Sequence, residues 1–169
     1  FLYVGVEVIA GDTIISYGLS QGIPFSDAKI FTSFTLSAML LGYILGIILM
    51  PRFISQERAL QISAFLGLLF TLLALMTEGF TSVVFIALLG LANALMWPAH
   101  WPLAMRGLGR FTSKGSSWLI MAISGGALIP LVYGMLADVL STKQAYWLLI
   151  PCYLFIGYYA VKGYKKESW

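Results

Sequence analysis

LANALMWPAHWPLAMRGLG, residues 91–109, decides how the rest of the chain is read. Two prolines, Pro98 and Pro102, lie in an apolar run long enough to cross a bilayer, and the only histidine, His100, lies between them. A proline inside a helix lacks the backbone donor and crowds the carbonyl four residues back, so the carbonyls of Ala94 and Pro98 lose their usual partners. Lipid cannot replace those partners. Freed backbone groups persist at membrane depth only where protein or a water-filled cavity takes them up. The helix is therefore expected to face the interior of a bundle. At about 100° per residue, Asn93, Trp97 and His100 fall within about 60° of one another, with Trp101 on the flank. An amide, two indoles and an imidazole on one stripe suit a site that hydrogen-bonds hydroxyls and stacks on a sugar ring. The same groups also serve as packing, with indoles between helices and the amide on a local backbone group.

Composition sets the class. The 169 residues are 60% hydrophobic and 10% charged, with a mean hydropathy of +0.90, where soluble domains carry about 25% charged residues. Six apolar blocks, 1–19, 28–50, 59–77, 80–105, 117–137 and 145–161, approach or exceed the ~20 residues that cross a ~30 Å hydrocarbon core. The pattern predicts an all-α membrane protein of six transmembrane helices. The net charge of +3 does not point to nucleic acid, because the basic residues are scattered over the loops. If crossings alternate, Arg52, Arg58, Arg106, Arg110, Lys114, Lys162, Lys165 and Lys166 share one side and only Lys29 and Lys143 the other. The richer side is expected to be cytoplasmic, which puts both ends of the chain inside. The lone Cys152 gives no disulfide framework and no multi-cysteine metal site. The basic loop RGLGRFTSK, residues 106–114, lacks the spacing of a phosphate-binding loop. Phe1 opens inside an apolar block with no initiator Met, basic leader or cleavage pattern, so the sequence is expected to be a fragment lacking its amino-terminal part rather than to begin with a signal peptide.

The first block carries two acids, Glu7 and Asp12. Each costs about 2.5–3.5 kcal/mol near the centre of a membrane helix, so neither is expected to face lipid. Five residues put them about 140° apart, too far for one paired-carboxylate site on a straight helix. Glu7 shares a face with Tyr3 and Gly11, and Asp12 with Ser16. Each acid is read as a cavity contact or a proton-titrating group, against a plain polar bond to a neighbouring helix. In the second block, Ala38, Gly42 and Gly46 form a small-residue face for close packing. The following loop, 51–58, places Arg52 and Arg58 around Glu57, either to fix topology or to latch one conformation. The third block is almost wholly apolar around Gly67 and reads as a lipid-facing support. In the fifth, Gly125, Gly126, Pro130 and Gly134 leave one face nearly bare, as a bending gate or a close-packing surface requires. Trp147, Tyr153, Tyr158 and Tyr159 make the sixth block a structural span with interfacial aromatics. The tail KGYKKESW, 162–169, anchors it on the cytoplasmic side.

YVGVEV at 3–8, NALMWP at 93–98, RGLGRFTSKGSS at 106–117, SGGALIP at 124–130 and YGMLAD at 133–138 follow one another in an order that resembles the carboxy-terminal half of a major facilitator sugar transporter. The resemblance is to the fucose and glucose/galactose:proton symporter family and covers essentially the whole chain. It implies helices seven to twelve of a twelve-helix protein of the bacterial inner membrane. Sugar would bind between two six-helix halves that rock between inward- and outward-facing states. It also implies that the proton-coupling carboxylates belong to the amino-terminal half, so Glu7 does not inherit that role. His100 and Pro102 stand where relatives often carry aliphatic or small residues, which marks a subfamily trait.

The leading expectation is a secondary transporter of a hexose, coupled to protons or else sodium, with no catalytic residues, cofactor or metal. Asn93, Trp97, His100, Trp101, Glu7 and Asp12 are the candidate substrate-binding residues, and Pro98, Pro102, Gly125, Gly126 and Pro130 the candidate hinges. The expected partners are the monosaccharide, the amino-terminal half and lipid. An intramembrane enzyme pairing His100 with Glu7 or Asp12 is the rival class, although no H-E-x-x-H or second histidine accompanies it. A half-size transporter that dimerises is the third.

Overall fold

A computed structural model describes residues 1–50 and 52–165, and all six apolar blocks are helical in it. Pro51 of the second loop and residues 166–169 of the tail, Lys166 included, lie outside the described residues. The first span is bent. Helix α1 (Leu2–Asp12) meets α2 (Ile14–Ser20) at an angle of 54° at Thr13. The Thr13 hydroxyl donates to the Ile9 carbonyl at 2.7 Å, a back-bond of the kind that bends helices. Having spent its proton there, it accepts from the Tyr146 hydroxyl, also at 2.7 Å. The bend is thus pinned to the sixth span.

The second span joins α3 (Phe25–Ala28) to α4 (Phe31–Leu49), and the third is the single helix α5 (Gln56–Met76). Ser55 caps α5, its hydroxyl accepting from the Arg58 N–H, and Glu57 in the first turn complements the helix dipole. The fourth span is broken into α6 (Gly79–Ala94) and α7 (Met96–Met105). In the fifth, α8 (Thr112–Met121) passes through one 3-10 turn at Ala122–Ser124 into α9 (Gly125–Val139). The sixth runs from α10 (Thr142–Ala145) to α11 (Leu149–Val161).

Cross-links at both ends show that the spans alternate in direction. At one end Arg106 pairs with Glu57 at 2.9 Å, and the Gln61 amide donates to the Ala160 carbonyl at 2.8 Å. At the other, the Gly79 N–H donates to Gln21 Oε1 at 3.0 Å, and Lys143 Nζ donates to the Thr77 carbonyl at 2.6 Å.

The fourth span is the most interior, packed by α4 on one side and α5 on another, while α1 lies against α6 and α9. Its most apolar window is 56% buried, against 17% for the second span and 11% for the fifth, so those two are the outliers of the bundle. Close approach between the second and fourth spans is made by glycine. A methyl at Gly90 would land on the Thr35 backbone carbonyl, and one at Gly42 on the Ala94 side chain. The small-residue face of the second span is therefore spent inside the bundle. The third span, expected to face lipid, leaves Ile62, Phe65, Leu69 and Met76 exposed on one side and is buried on the other. Helix α5 has a buried seam of Ala59, Leu60, Ser63, Ala64, Gly67, Thr71 and Ala74 that packs against α6 and α11. Apolarity alone does not separate a lipid face from a helix face, because both exclude water. In the fifth span Gly125 lies against the Phe1 backbone and Gly126 against Val4 and Val8, whereas Gly134 is open.

Candidate functional site

Helix α6 ends at Ala94, the residue whose carbonyl would have taken the hydrogen that Pro98 lacks. A single turn residue, Leu95, separates α6 from α7, and Pro102 lies inside α7. The turn is slight: Leu95 keeps right-handed helical dihedrals, the span continues from Gly79 to Met105, and Asn93 and His100 both meet the sixth span, at Tyr153 and Tyr159. Asn93 is wholly buried and turned to the sixth span, where its Oδ1 accepts from the Tyr153 hydroxyl at 2.9 Å; its Nδ2 has no partner among the described residues.

Trp97 stands one turn further along the span. It lines a cavity of about 280 Å³ together with Tyr3, Val4 and Glu7 of α1, Tyr43 of α4 and Ile123 of the 3-10 turn. Four spans meet there. Glu7 is half-buried, and among the described residues no Lys, Arg or His forms an ion pair with it. The Tyr3 and Trp97 rings stack at a centroid distance of 6.1 Å, and Trp101 leans on Trp97 at 5.6 Å. An indole, two phenols and a carboxylate on one concave wall provide an apolar face, hydroxyl donors and a strong acceptor.

His100 faces a second cavity of about 260 Å³, which it lines with Leu2, Ala104, Leu119 and Tyr159. Tyr3 and Trp97 border both cavities and so partition them. The imidazole is sandwiched between Tyr3, at 5.9 Å, and Tyr159, at 5.3 Å and 8° from parallel. Its Nδ1 donates to the Met96 carbonyl at 3.0 Å, which fixes the proton on that nitrogen and leaves Nε2 as the acceptor. Asp12 is exposed at the end of α1 and lines neither cavity. The structure thus brings Glu7 and Trp97 together, with His100 behind the Tyr3–Trp97 partition, while Asn93 is bonded to Tyr153 and neither it nor Asp12 lines the two cavities. Among the described residues, no group of three His, Cys, Asp or Glu side chains is placed to hold a metal ion.

Tyr43, Ile123 and Tyr159 were not expected at the site. A tyrosine beside Gly42 in mid-membrane is a polar group that needs a partner, and that signal was available for Tyr43. Tyr159 was readable only as an interfacial aromatic. Outside the membrane-spanning part of the bundle, Glu57 is held below the usual carboxylate range by its own backbone N–H, the Ser55 hydroxyl and Arg106.

No family model matches the chain. Its fold, however, superposes on FucP, a major facilitator superfamily transporter solved in the outward conformation, with a TM-score of 0.88 over 95% of this chain and 39% of that one, at 23% identity. The chain has the major facilitator fold. It is the carboxy-terminal six-helix half of that fold and an integral membrane bundle. Among curated proteins, the chain is 34% identical to the glucose/galactose transporter of Brucella abortus over 98% of its own length. It is 31% identical to the putative glucose/galactose transporter of Helicobacter pylori over 99%. It spans 41% and 42% of the lengths of those two proteins, and so about two fifths of each relative. The cavity at Glu7 is lined in part by Tyr43 of the second span and Ile123 of the fifth, the two spans least buried in the bundle.

Proposed function

We propose that this half-bundle supplies one wall of a hexose site in a secondary active sugar transporter that works by alternating access. The observation that carries the reading is the cavity where Tyr3, Glu7, Tyr43 and Trp97 converge from three spans. Sugars present an apolar ring face for an indole and a rim of hydroxyls for phenols and a carboxylate, and this wall offers both. The volume of about 280 Å³ lies at the lower edge of the ~300–1,000 Å³ usual for small-molecule pockets. That suits half of a site completed by a facing six-helix bundle. The names of the relatives, glucose/galactose transporter and L-fucose-proton symporter, agree in substrate class.

In this reading the facing half supplies the other wall and the acid that couples transport to protons or sodium. The chain sits in the bacterial inner membrane with its basic loops, and both its ends, in the cytoplasm. Opening and closing bend the fourth span at Leu95, where Pro98 has removed a backbone bond, and the fifth at the 3-10 turn before Gly125, Gly126 and Pro130. An acid–base enzyme gains nothing from the geometry, since His100 and Glu7 lie on opposite sides of the Tyr3–Trp97 partition.

A cysteine replacing Tyr43, in a full-length protein whose buried Cys152 has been changed to Ala, tests the location. Labelling by a membrane-impermeant maleimide should be slowed by glucose or galactose and not by mannitol. Labelling indifferent to every sugar would remove the site from this cavity.

A further inference from the structure

We propose that Glu7 is the specificity-determining acceptor of this site, that its carboxylate binds two adjacent hydroxyls of a neutral pyranose, and that it excludes anionic sugars. The inference rests on the hexose-site reading and adds to it the chemistry of selection. Glu7 is held on α1 one turn beyond Tyr3, so its side chain enters the cavity beside a phenol and across from Trp97 and Tyr43. The groups that face it are Tyr3 on its own helix, Tyr43 from α4, Trp97 from α7 and Ile123 from the fifth span. None of these is a cation. The only histidine is beyond the partition, with one nitrogen committed to the Met96 carbonyl. The carboxylate therefore brings to the cavity acceptor capacity that no basic side chain among the described residues takes up.

A carboxylate has two oxygens and accepts only, so it pairs best with two donors side by side. Adjacent hydroxyls on a pyranose present that arrangement when the ring lies against Trp97. A sugar with one of those hydroxyls missing leaves a carboxylate oxygen desolvated and unpaired, which costs more than the bond itself is worth. A uronate or sugar phosphate sets like charge against Glu7 in a low-dielectric site and is rejected.

The test is a monodeoxy-glucose scan on the full-length protein, binding read by calorimetry, in wild type, Glu7→Gln and Glu7→Ala. In wild type, removal of either of two neighbouring hydroxyls should weaken binding on the order of ten- to a hundredfold. In Glu7→Ala those two penalties should shrink to a few-fold while penalties at the other positions stay. Glu7→Gln, which is nearly isosteric, should fall between and should admit glucuronate as a competitor that wild type excludes. If Glu7→Ala does not fold, the Glu7→Gln profile decides. Sugar binding by wild type with the same deoxy profile in the variants would overturn this inference and leave the hexose site standing. Failure of wild type to bind any of the sugars would overturn both.

Discussion

Replacing Tyr153 by Phe should loosen the bundle without touching the sugar site. Among the described residues, the Tyr153 hydroxyl is the only side-chain partner of the wholly buried Asn93, whose Nδ2 is already unpaired. Removing the hydroxyl leaves the amide with neither end bonded, at a cost of about 1–3 kcal/mol for a buried polar group. Membrane interiors temper this, because side chains in the unfolded reference also find partners; measured couplings between helices average about 0.6 kcal/mol and reach about 1.7. A loss of about 1–2 kcal/mol is therefore expected for Tyr153→Phe, and a similar loss for Asn93→Leu, which strands the phenol instead. The double variant replaces both partners by apolar groups of similar shape, so it should cost less than the sum of the singles by about 0.6–1.7 kcal/mol. The assay is a double-mutant cycle on reversible unfolding of the full-length protein in micelles, with sugar affinity measured on each variant. Additive losses would refute the buried pair. A large drop in sugar affinity for Tyr153→Phe at unchanged stability would place Asn93 in the site after all.

Other substitutions should behave as their surroundings dictate. Gly90→Ala drives a methyl onto the Thr35 backbone, which cannot swing aside, and should cost at least the ~1–3 kcal/mol of an overpacked core, read as a lowered midpoint of thermal unfolding. Gly157→Ala meets only the Ala64 methyl at 3.7 Å and should be neutral or stabilising by up to ~1 kcal/mol. His100→Phe keeps a flat ring between Tyr3 and Tyr159 and should be tolerated better than His100→Ala, which opens a gap between them; the unfolding midpoints of the two variants decide it. Glu57 titrates below its unfolded value of 4.5 in the fold, so the stability that Glu57→Gln removes should be fully present at neutral pH. That difference should fade as pH drops through the depressed value, and fade also in high salt, since the pair with Arg106 is at the surface.

Much of the fold was legible because lipid imposes blunt rules. Apolar blocks of sufficient length become helices, and the prolines of the fourth span announced its break, which falls at Ala94 where a carbonyl loses its donor. The partners that span meets were not legible. Asn93, Trp97 and His100 follow one another along the fourth span, yet the amide meets Tyr153 and the indole meets the cavity of Glu7, partners on other spans that a helical stripe does not name. Glu7 stood out in sequence because an acid in a membrane needs a reason, but its neighbour Tyr43 comes from another span, and no local pattern encodes that meeting. The 54° bend at Thr13 was hidden for the same reason, since the Tyr146 hydroxyl that holds it lies far along the chain.

The cavity shared by Glu7 and Trp97 is tested most directly by uptake of labelled glucose, galactose and fucose into vesicles containing the full-length protein. Wild type and Trp97→Ala would be compared with and without an imposed inward proton gradient. Gradient-stimulated uptake of at least one hexose, lost in Trp97→Ala while the protein remains folded, is the expected result. Uptake that proceeds unchanged without the indole would contradict it and move the sugar to another surface of the bundle.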